Sequence, residues 1–253
     1  MKTVFINCSP KKRFCASAYF LFLTKLFTRG SRVSERLRTA ADYDRVLEQL
    51  RDADSAVFSL PLYVDGVPSH TLRFLQRMET FSKENGLHLR IYCVANNGFI
   101  EGKQNEPLMQ VFENFCSRSG HEWCGGIGIG GGVMLNVYRI VFTVQTVMFL
   151  VSAALNLIET GNPFPSGLLR SYGENALIVL YLNIGVLSYT VRMAWHIARG
   201  TSAGNKYTRI MVPSFLFILF ADVFFVIISV IKGGIFRGWL AKKQPDTGGT
   251  RLN

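Results

Sequence analysis

Three long apolar stretches in the second half of the sequence constrain this chain more than any other feature. Residues 140–158 and 175–191 contain 19 and 17 residues without a formal charge, and residues 210–231 contain 22 residues with Asp222 as the single charge. A helix of about 20 apolar residues crosses the hydrocarbon core of a bilayer. The sequence therefore predicts three helices that reach across a membrane or nearly so. The alternative is that the stretches are core helices of a soluble oligomer.

The distribution of charge also divides the chain. Up to Gly132 there are 17 Lys and Arg against 13 Asp and Glu, whereas beyond it there are 11 against 4. The later basic residues fall mainly between the apolar stretches, as expected for side chains that meet lipid headgroups. The flanking basic and aromatic residues are Arg192, Trp195, Arg199, Lys232, Arg237, Trp239, Lys242 and Lys243. They form no dense basic stripe with stacking aromatics, so we expect membrane lipid as a partner and no nucleic acid.

The basic segments restrict the topology of the three stretches. Residues 159–174 carry one basic residue, residues 192–209 carry four, and Lys232 with the tail that follows it makes five. Both basic segments favour the cytoplasmic side, whereas three full spans from a cytoplasmic domain would place the tail outside. We expect one stretch to re-enter or to lie in the interface, and the third, with Pro213, is the first candidate. Asp222 within it is a functional group, or a carboxyl that is protonated or paired with a neighbouring helix.

The first 132 residues alternate between apolar strands and amphipathic helices. Strands are predicted at 3–6, 31–38, 55–63, 89–95 and 123–132, with helices at 16–27, 42–52, 68–84 and 105–119. Continuous apolar strands that alternate with helices predict a five-stranded parallel α/β sheet covered on both faces. We therefore predict an α/β domain over residues 1–132, an all-α transmembrane region over 133–232 and a basic polar tail over 233–253.

The amino terminus and the cysteines indicate a cytoplasmic first domain. The opening residues, MKTVFINCSP, have only a short apolar run and no cleavage site typical of a secretory signal. Five cysteines show no zinc or cluster spacing and are predicted to be reduced, mostly buried thiols. We therefore predict a location at the cell membrane, with the α/β domain in the cytoplasm.

Three segments of the α/β region resemble a known family. "INCSPKKRFCASAYFL" follows the first strand, "SLPLYVDGVPSHTLRFLQRM" contains the third, and "VANNGFIEGKQN" follows the fourth. Over residues 2–132 the sequence resembles the flavodoxin-like NADPH-dependent FMN reductases and NAD(P)H oxidoreductases. The resemblance implies a doubly wound sheet, FMN as cofactor, NAD(P)H as cosubstrate and a homodimer. It also makes residues 175–198 the counterpart of the family's last helix.

The loops after the first, third and fourth strands provide the predicted cofactor site. Ligands of open parallel sheets bind beyond the carboxyl ends of the strands, and a helix N-terminus there favours a phosphate. With the positions that the resemblance implies for the flavin ring, the predicted site comprises Ser9, Pro10, Lys11, Ser17, Pro61, Leu62, Tyr63, Gly66, Asn96, Asn97 and Gly98. Lys12 and Arg13 raise the local positive potential or form a solvated turn. Cys8 and Ala16 differ from the Gly and Asn that the family usually has, which lowers the expected affinity for phosphate.

Other chemistry-bearing residues form no recognisable catalytic set. Under the flavin hypothesis the cofactor supplies the hydride chemistry, and Glu101 and Tyr63 position substrate, exchange protons or are simply surface residues. The glycines between residues 125 and 132 lie within the last predicted strand and do not follow the first one. They therefore indicate close backbone packing or a cofactor-facing edge, not a dinucleotide fingerprint.

The sequence supports three hypotheses of function. The leading one is a membrane-attached FMN oxidoreductase that takes hydride from NAD(P)H and passes electrons to a quinone-like or other small-molecule acceptor. The second is a flavodoxin-like domain without cofactor that acts as a sensing or assembly module of a membrane protein. The third, transport of a small solute, depends only on Asp222 and the apolar stretches.

Overall fold

The first half of the chain forms the predicted series of strands and helices. The computed structural model describes residues 1–11, 15–63, 65–165 and 167–231. The first five strands are β1 (Lys2–Asn7), β2 (Ser31–Arg36), β3 (Ser55–Pro61), β4 (Arg90–Asn96) and β5 (Glu122–Gly130). The helices between them are α1 (Ala16–Phe27), α2 (Tyr43–Arg51), α3 (Ser69–Asn85) and α4 (Glu106–Ser119).

All strands of the sheet run parallel, in the order β2-β1-β3-β4-β5 followed by a sixth strand, β6 (Lys206–Arg209). The order of the first five strands is that of the flavodoxin-like doubly wound sheets, whose ligands bind where the order reverses, between β1 and β3. The predicted fold class is therefore confirmed for the α/β part of the chain.

Helices cover both faces of the sheet, as the continuous apolar strands predict. Helices α2, α3 and α4 enclose the larger core, in which Phe58, Phe74 and Phe112 have no exposed surface. Helix α1 and the later helix α6 (Leu168–Arg199) cover the opposite face. Successive strand residues point to opposite faces of the sheet. Residues on the face covered by α1 and α6, such as Phe5 and Tyr92, are also fully buried.

The prediction of five strands is wrong because β6 pairs with β5. Residues Ile127–Gly130 are in parallel register with Lys206–Arg209. The segment KYTR is short and only partly buried, so its sequence lacks the apolar run by which the inner strands are recognised. Its position at the edge of the sheet explains this, since an edge strand is only partly covered by helices.

Within the described residues, three helices are long and apolar enough to cross a membrane: α5 (Gly132–Thr160), α6 and α7 (Ser214–Ile231). The chain forms two compact units, of which the first is Met1–Met211 and the second begins at Val212. Helices α5 and α6 therefore belong to the same unit as the sheet, although they lie beyond the boundary predicted at residue 132. The second unit contains α7, on which Asp222 lies. The predicted tail, residues 233–253, lies outside the described residues, as does Lys232.

The two halves of α6 differ in their contacts with the sheet. We call the residues before Leu182 the free half and those from Leu182 onward the packed half. The buried residues of α6 begin at Leu182 and end at Ile197, and the packed half lies against α1 and β5. The exposed Arg192, Trp195 and Arg199 accordingly lie on a helix that covers the sheet, and not at the end of a free helix. That these three residues flank a complete span stays a prediction: α6 is long and apolar enough to cross a membrane, but its second half also packs within the α/β unit.

Gly125 tests the packing of the loop that leads into β6. Its φ of +102° disfavours an L side chain, and an added Cβ would overlap the backbone of Gly204. We expect Gly125→Ala to lower the free energy of unfolding by about 3 kcal/mol or more, from backbone strain and overlap together. The measurement is thermal and denaturant unfolding of the full chain in detergent.

Gly86→Ala is the matched control for Gly125→Ala. Gly86 also has a positive φ, of +61°, but nothing lies within 4 Å of the added Cβ. The control should lose only about 1–2 kcal/mol, the cost of a left-handed conformation. Equal losses in the two variants would contradict the close approach of residues 125 and 204.

Candidate functional site

A cleft opens at the carboxyl edge of the sheet, where the strand order reverses. The loops after β1, β3 and β4 meet there, beside the first turns of α1 and α5. The cleft has a volume of about 110 Å³. Its lining consists of Ser9, Lys11, Cys15, Ala16, Ser17, Pro61, Leu62, Tyr63, Asn96, Asn97, Gly98 and Val133.

Nine of the eleven predicted site residues line this cleft; Pro10 and Gly66 do not. Pro10 is exposed in the loop after β1, and Gly66 closes a turn with Tyr63. Lys12 and Arg13 lie outside the described residues. Three lining residues lie outside the predicted set: Cys15, Ala16 and Val133. Cys15 and Ala16 are neighbours of Ser17, whereas Val133 belongs to an apolar helix that gave no sign of contact with the cleft.

Asn96 holds the floor of the cleft together. Its Nδ2 donates to Ser17 Oγ at 2.9 Å and to the carbonyl of Leu60 at 3.1 Å. Ser59 Oγ in turn donates to the carbonyl of Ser17 at 2.8 Å. These bonds join β3, β4 and the first turn of α1 in a buried network, so the side chains at the floor have fixed positions.

The amino end of α1 provides the donors for an anion. The first N–H groups of a helix have no partner within the helix, and here Cys15 occupies the N-cap without a side-chain cap. Ser17 Oγ already accepts from Asn96, so its own hydroxyl hydrogen is left to donate. The N–H of Ser9 is used by Asn7 Oδ1, at 3.0 Å. The positive end of the helix dipole and the ammonium group of Lys11 both favour a negative ligand.

The loop after β3 provides an apolar wall. The N–H of Leu62 donates to the carbonyl of Asn96 at 2.8 Å, which extends the pairing of β3 with β4 to the mouth of the cleft. Tyr63 and Gly66 exchange two backbone hydrogen bonds of 3.1 and 3.0 Å. Tyr63 nevertheless keeps 41% of its surface exposed, and burial of the remainder raises the pKa of its hydroxyl. A flat ligand would therefore meet the faces of Pro61, Leu62 and Tyr63.

Asn97 carries an unsatisfied acceptor at the cleft. The residue is 3% exposed, and its Oδ1 has no hydrogen-bond partner among the described residues. Its Nδ2 donates to the carbonyl of Glu101 at 3.0 Å, which fixes the orientation of the amide. Buried acceptors are nearly always paired in folded proteins, and a bound ligand is one explanation of an exception. Asn97 lines the cleft, and a ligand N–H group is one candidate partner for this covered acceptor.

The side chains around the cleft are suited to binding a ligand rather than to nucleophilic or acid–base catalysis. The five cysteines are free and buried, as the sequence predicts, and burial raises the pKa of the Cys8 thiol to about 12. Glu101 lines a separate hollow with Asp65 and Lys103. Among the described residues, the cleft therefore has binding groups but no pair of a nucleophile and a general base.

The comparisons with known proteins give only distant similarities. No family profile and no curated protein matches the chain. A solved Trp repressor binding protein from Bacillus subtilis is 20% identical, with 51% of this chain and 85% of that one covered and a TM-score of 0.42. A NADPH-quinone reductase from P. pentosaceus is 16% identical over 52% of this chain and 86% of that one, with a TM-score of 0.40. An FMN-dependent NADH-azoreductase from Bacillus anthracis, solved in complex with FMN, is 11% identical over 78% and 99%, with a TM-score of 0.40.

These solved structures are flavodoxin-like, but similarity at this level carries no conclusion about activity. Any function of this chain must therefore be inferred from its own strand order and cleft.

Ser17→Ala tests the network at the floor of the cleft. The variant removes one acceptor of Asn96 Nδ2 and leaves the other, the carbonyl of Leu60. We expect a loss of about 1 kcal/mol, or a decrease in Tm of about 2–4 °C, in thermal unfolding of the full chain in detergent. Thr80→Ala is the control, since it removes an exposed hydroxyl that bonds only within α3. A decrease beyond about 10 °C for Ser17→Ala would contradict a single-bond contribution and give Ser17 a larger structural role.

Proposed function

We propose that the chain is a membrane-attached flavin oxidoreductase that binds FMN, accepts hydride from NAD(P)H and passes electrons to a quinone-like acceptor. The observation that carries the proposal is the cleft at the carboxyl edge, between β1 and β3, with an uncapped helix at one side and an apolar wall at the other. Ligand sites of doubly wound sheets lie at this position.

The phosphate of FMN suits the amino end of α1. A dianion there would accept hydrogen bonds from the free N–H groups of the first turn and from the hydroxyl of Ser17. Lys11 supplies a positive charge beside them. The bond between the Ser9 N–H and Asn7 Oδ1 removes one further donor, which agrees with the lower phosphate affinity expected from Cys8 and Ala16.

The ring of FMN suits the loops after β3 and β4. Pro61, Leu62 and Tyr63 offer apolar contact to a flat aromatic system. Asn97 Oδ1 would accept the imide N–H of the ring and so acquire the partner that it lacks. Bound FMN supplies the hydride chemistry, whereas the residues of this chain orient the ring and determine the polarity around it.

The volume of the cleft favours a second candidate function. Small-molecule sites usually measure about 300–1,000 Å³, whereas this cleft measures about 110 Å³. It encloses only part of an FMN molecule, so the rest of the cofactor would lie over the mouth. A flavodoxin-like domain that binds no flavin and serves as a sensing or assembly module of a membrane protein agrees with the smaller volume.

The membrane attachment is supported by the exposed apolar helices. Most of α5 and α7 is exposed although their residues are apolar. Soluble proteins rarely expose apolar patches of this size. We propose that lipid covers these helices at the cell membrane and that the α/β part lies in the cytoplasm.

Flavin content distinguishes the two candidate functions. The full chain, purified in detergent with added FMN, should show the visible absorption of a bound flavin, and NADPH or NADH should bleach it. Asn97→Ala should weaken FMN binding about tenfold, since it removes one hydrogen bond worth about 1–1.5 kcal/mol to a buried partner. The measurement is a fluorescence titration with FMN.

The control for Asn97→Ala is Thr80→Ala, which lies on α3 away from the cleft and should bind FMN like the unchanged chain. Absence of flavin absorption, with no binding of added FMN by a folded protein, would refute the oxidoreductase and leave the module.

Extraction from membranes tests the attachment. After expression, the full chain should stay in the membrane fraction through washes with high salt and with alkaline carbonate, and should be released by detergent. The reason is that apolar burial in lipid does not depend on ionic strength. Release by either wash, as a soluble oligomer, would instead support the core-helix alternative.

A further inference from the structure

The chain leaves the sheet toward α5 and toward α7 at the carboxyl edge, whereas it passes from α6 into β6 at the amino edge. Helix α5 begins directly after β5, where the N–H of Gly132 donates to the carbonyl of Asn97 at 2.9 Å. Helix α6 reaches the unit at Leu182, whose carbonyl accepts from the N–H of Met211 at 3.3 Å. The chain then leaves the unit at Met211, two residues after β6 ends at Arg209.

The direction of α5 is also fixed by this edge. Its 29 residues correspond to about 43 Å, and only the first turns are buried against the α/β part, through Gly132, Leu135 and Asn136. The free half of α6 lies alongside, where Phe149 stacks on Tyr172 with ring centroids 4.3 Å apart. Helix α5 and the free half of α6 form an antiparallel hairpin that extends from the carboxyl edge, away from the sheet.

The loops at the same edge expose large apolar side chains. Phe99 is 56% exposed in the loop after β4, and Tyr63 is 41% exposed in the loop after β3. Val133 and Met211 are also exposed, at the start of α5 and beside the exit of the chain. Aromatic side chains at this position are typical of the membrane interface. Tyr63 and Val133 also line the cleft.

Arg139, in the second turn of α5 where the hairpin leaves the sheet, provides a cation for a lipid phosphate. Arg139 Nη2 donates to Asn136 Oδ1 at 2.9 Å, and its guanidinium lies 5.2 Å from the ring centroid of Tyr19. Within the described part of the chain, Arg139 forms no ion pair. The exposed carboxylates Asp65 and Glu101 at the same edge are offset by the exposed Lys11 and Lys103, so the edge has no strong excess of either charge. A zwitterionic bilayer surface therefore fits the edge better than a strongly anionic one.

The outer face of α1 is the rival contact surface. Phe22, Leu26 and Phe27 are exposed there, but Lys25 lies among them and Arg32 donates to the carbonyls of Lys25 and Thr28 at the end of the helix. A bilayer on this face would lie along the axis of α6, and the hairpin would run parallel to its surface. The carboxyl edge lets the hairpin enter the bilayer end on.

We propose that the carboxyl edge of the sheet rests on the bilayer surface, with Phe99 and Tyr63 at the headgroup layer and the cleft opening toward the lipid. This inference rests on the membrane attachment in the proposed function and does not depend on bound flavin. Combined with the proposed oxidoreductase, this orientation identifies the acceptor class as a molecule dissolved in the bilayer, which reaches the cleft past Val133 and Tyr63 without crossing water. In the rival orientation the cleft would open sideways, toward the aqueous phase.

Spin labels at two exposed phenylalanines test the orientation. Phe99→Cys and Phe27→Cys are labelled with a nitroxide in the full chain, which is then reconstituted in phosphatidylcholine vesicles. Phe27, 42% exposed, is the matched control at the opposite end of α1. The five native cysteines are buried, and the labelled unchanged chain gives their background. Accessibility is measured by power saturation with oxygen, which concentrates in lipid, and with a nickel complex that stays in water.

The ratio of oxygen to nickel accessibility should be several-fold higher at position 99 than at position 27. A protein that floats with the vesicles but has position 99 in water, or position 27 in lipid, would overturn the orientation while leaving the attachment intact. A folded protein that does not float with the vesicles would overturn both the attachment and the orientation. Flavin content, measured on the same samples, reports separately on the oxidoreductase.

Discussion

The close approach of backbones at the end of β5 is the constraint on which the rest of the structure depends. An added Cβ at Gly130 would overlap the backbone of Ile100, and one at Gly132 would lie 2.9 Å from Asn96 Cβ. Only glycine lets the loop after β4 cross the end of β5 at this distance. Because of this contact, Asn96 and Asn97 reach the cleft, and α5 begins beside them. The glycine-rich segment thus acts through packing, as the sequence indicates, and not as a dinucleotide fingerprint.

One edge of the sheet consequently serves two purposes. Parallel strands end together, so the loops that form the cleft and the exits of the chain toward α5 and α7 meet at the same edge. In a soluble protein of this fold that edge faces water, whereas here an apolar hairpin extends from it. A site for an electron carrier at this position would exchange electrons with the lipid phase over a short distance. The cleft and the proposed attachment therefore support a common function more strongly than either does alone.

The sequence predicted most of the α/β part because its signals are local. Buried strands such as TVFI and the helix at residues 16–27 carry continuous apolar runs or a clear period. Strand ends together with the family resemblance gave the eleven predicted site residues, of which nine line the cleft. The sixth strand was missed because KYTR at the edge has no apolar pattern. Composition did not reveal the packed half of α6, because an apolar surface that lies against α1 has the same composition as one that faces lipid. Only the resemblance of residues 175–198 to the last helix of the family indicated it. Val133 likewise required the position of α5, which no local pattern indicates.

The position of a bound flavin relative to the bilayer is the most direct test of a redox cleft that opens toward lipid. FMN bound to the full chain in phosphatidylcholine vesicles is exposed in turn to lipids with a nitroxide near the headgroup and to iodide in water, and the quenching of its fluorescence is compared. We expect the shallow nitroxide to quench the bound flavin more strongly than iodide does. Quenching by iodide alone would contradict a cleft that opens toward lipid, and a folded protein without bound flavin would contradict the redox function itself.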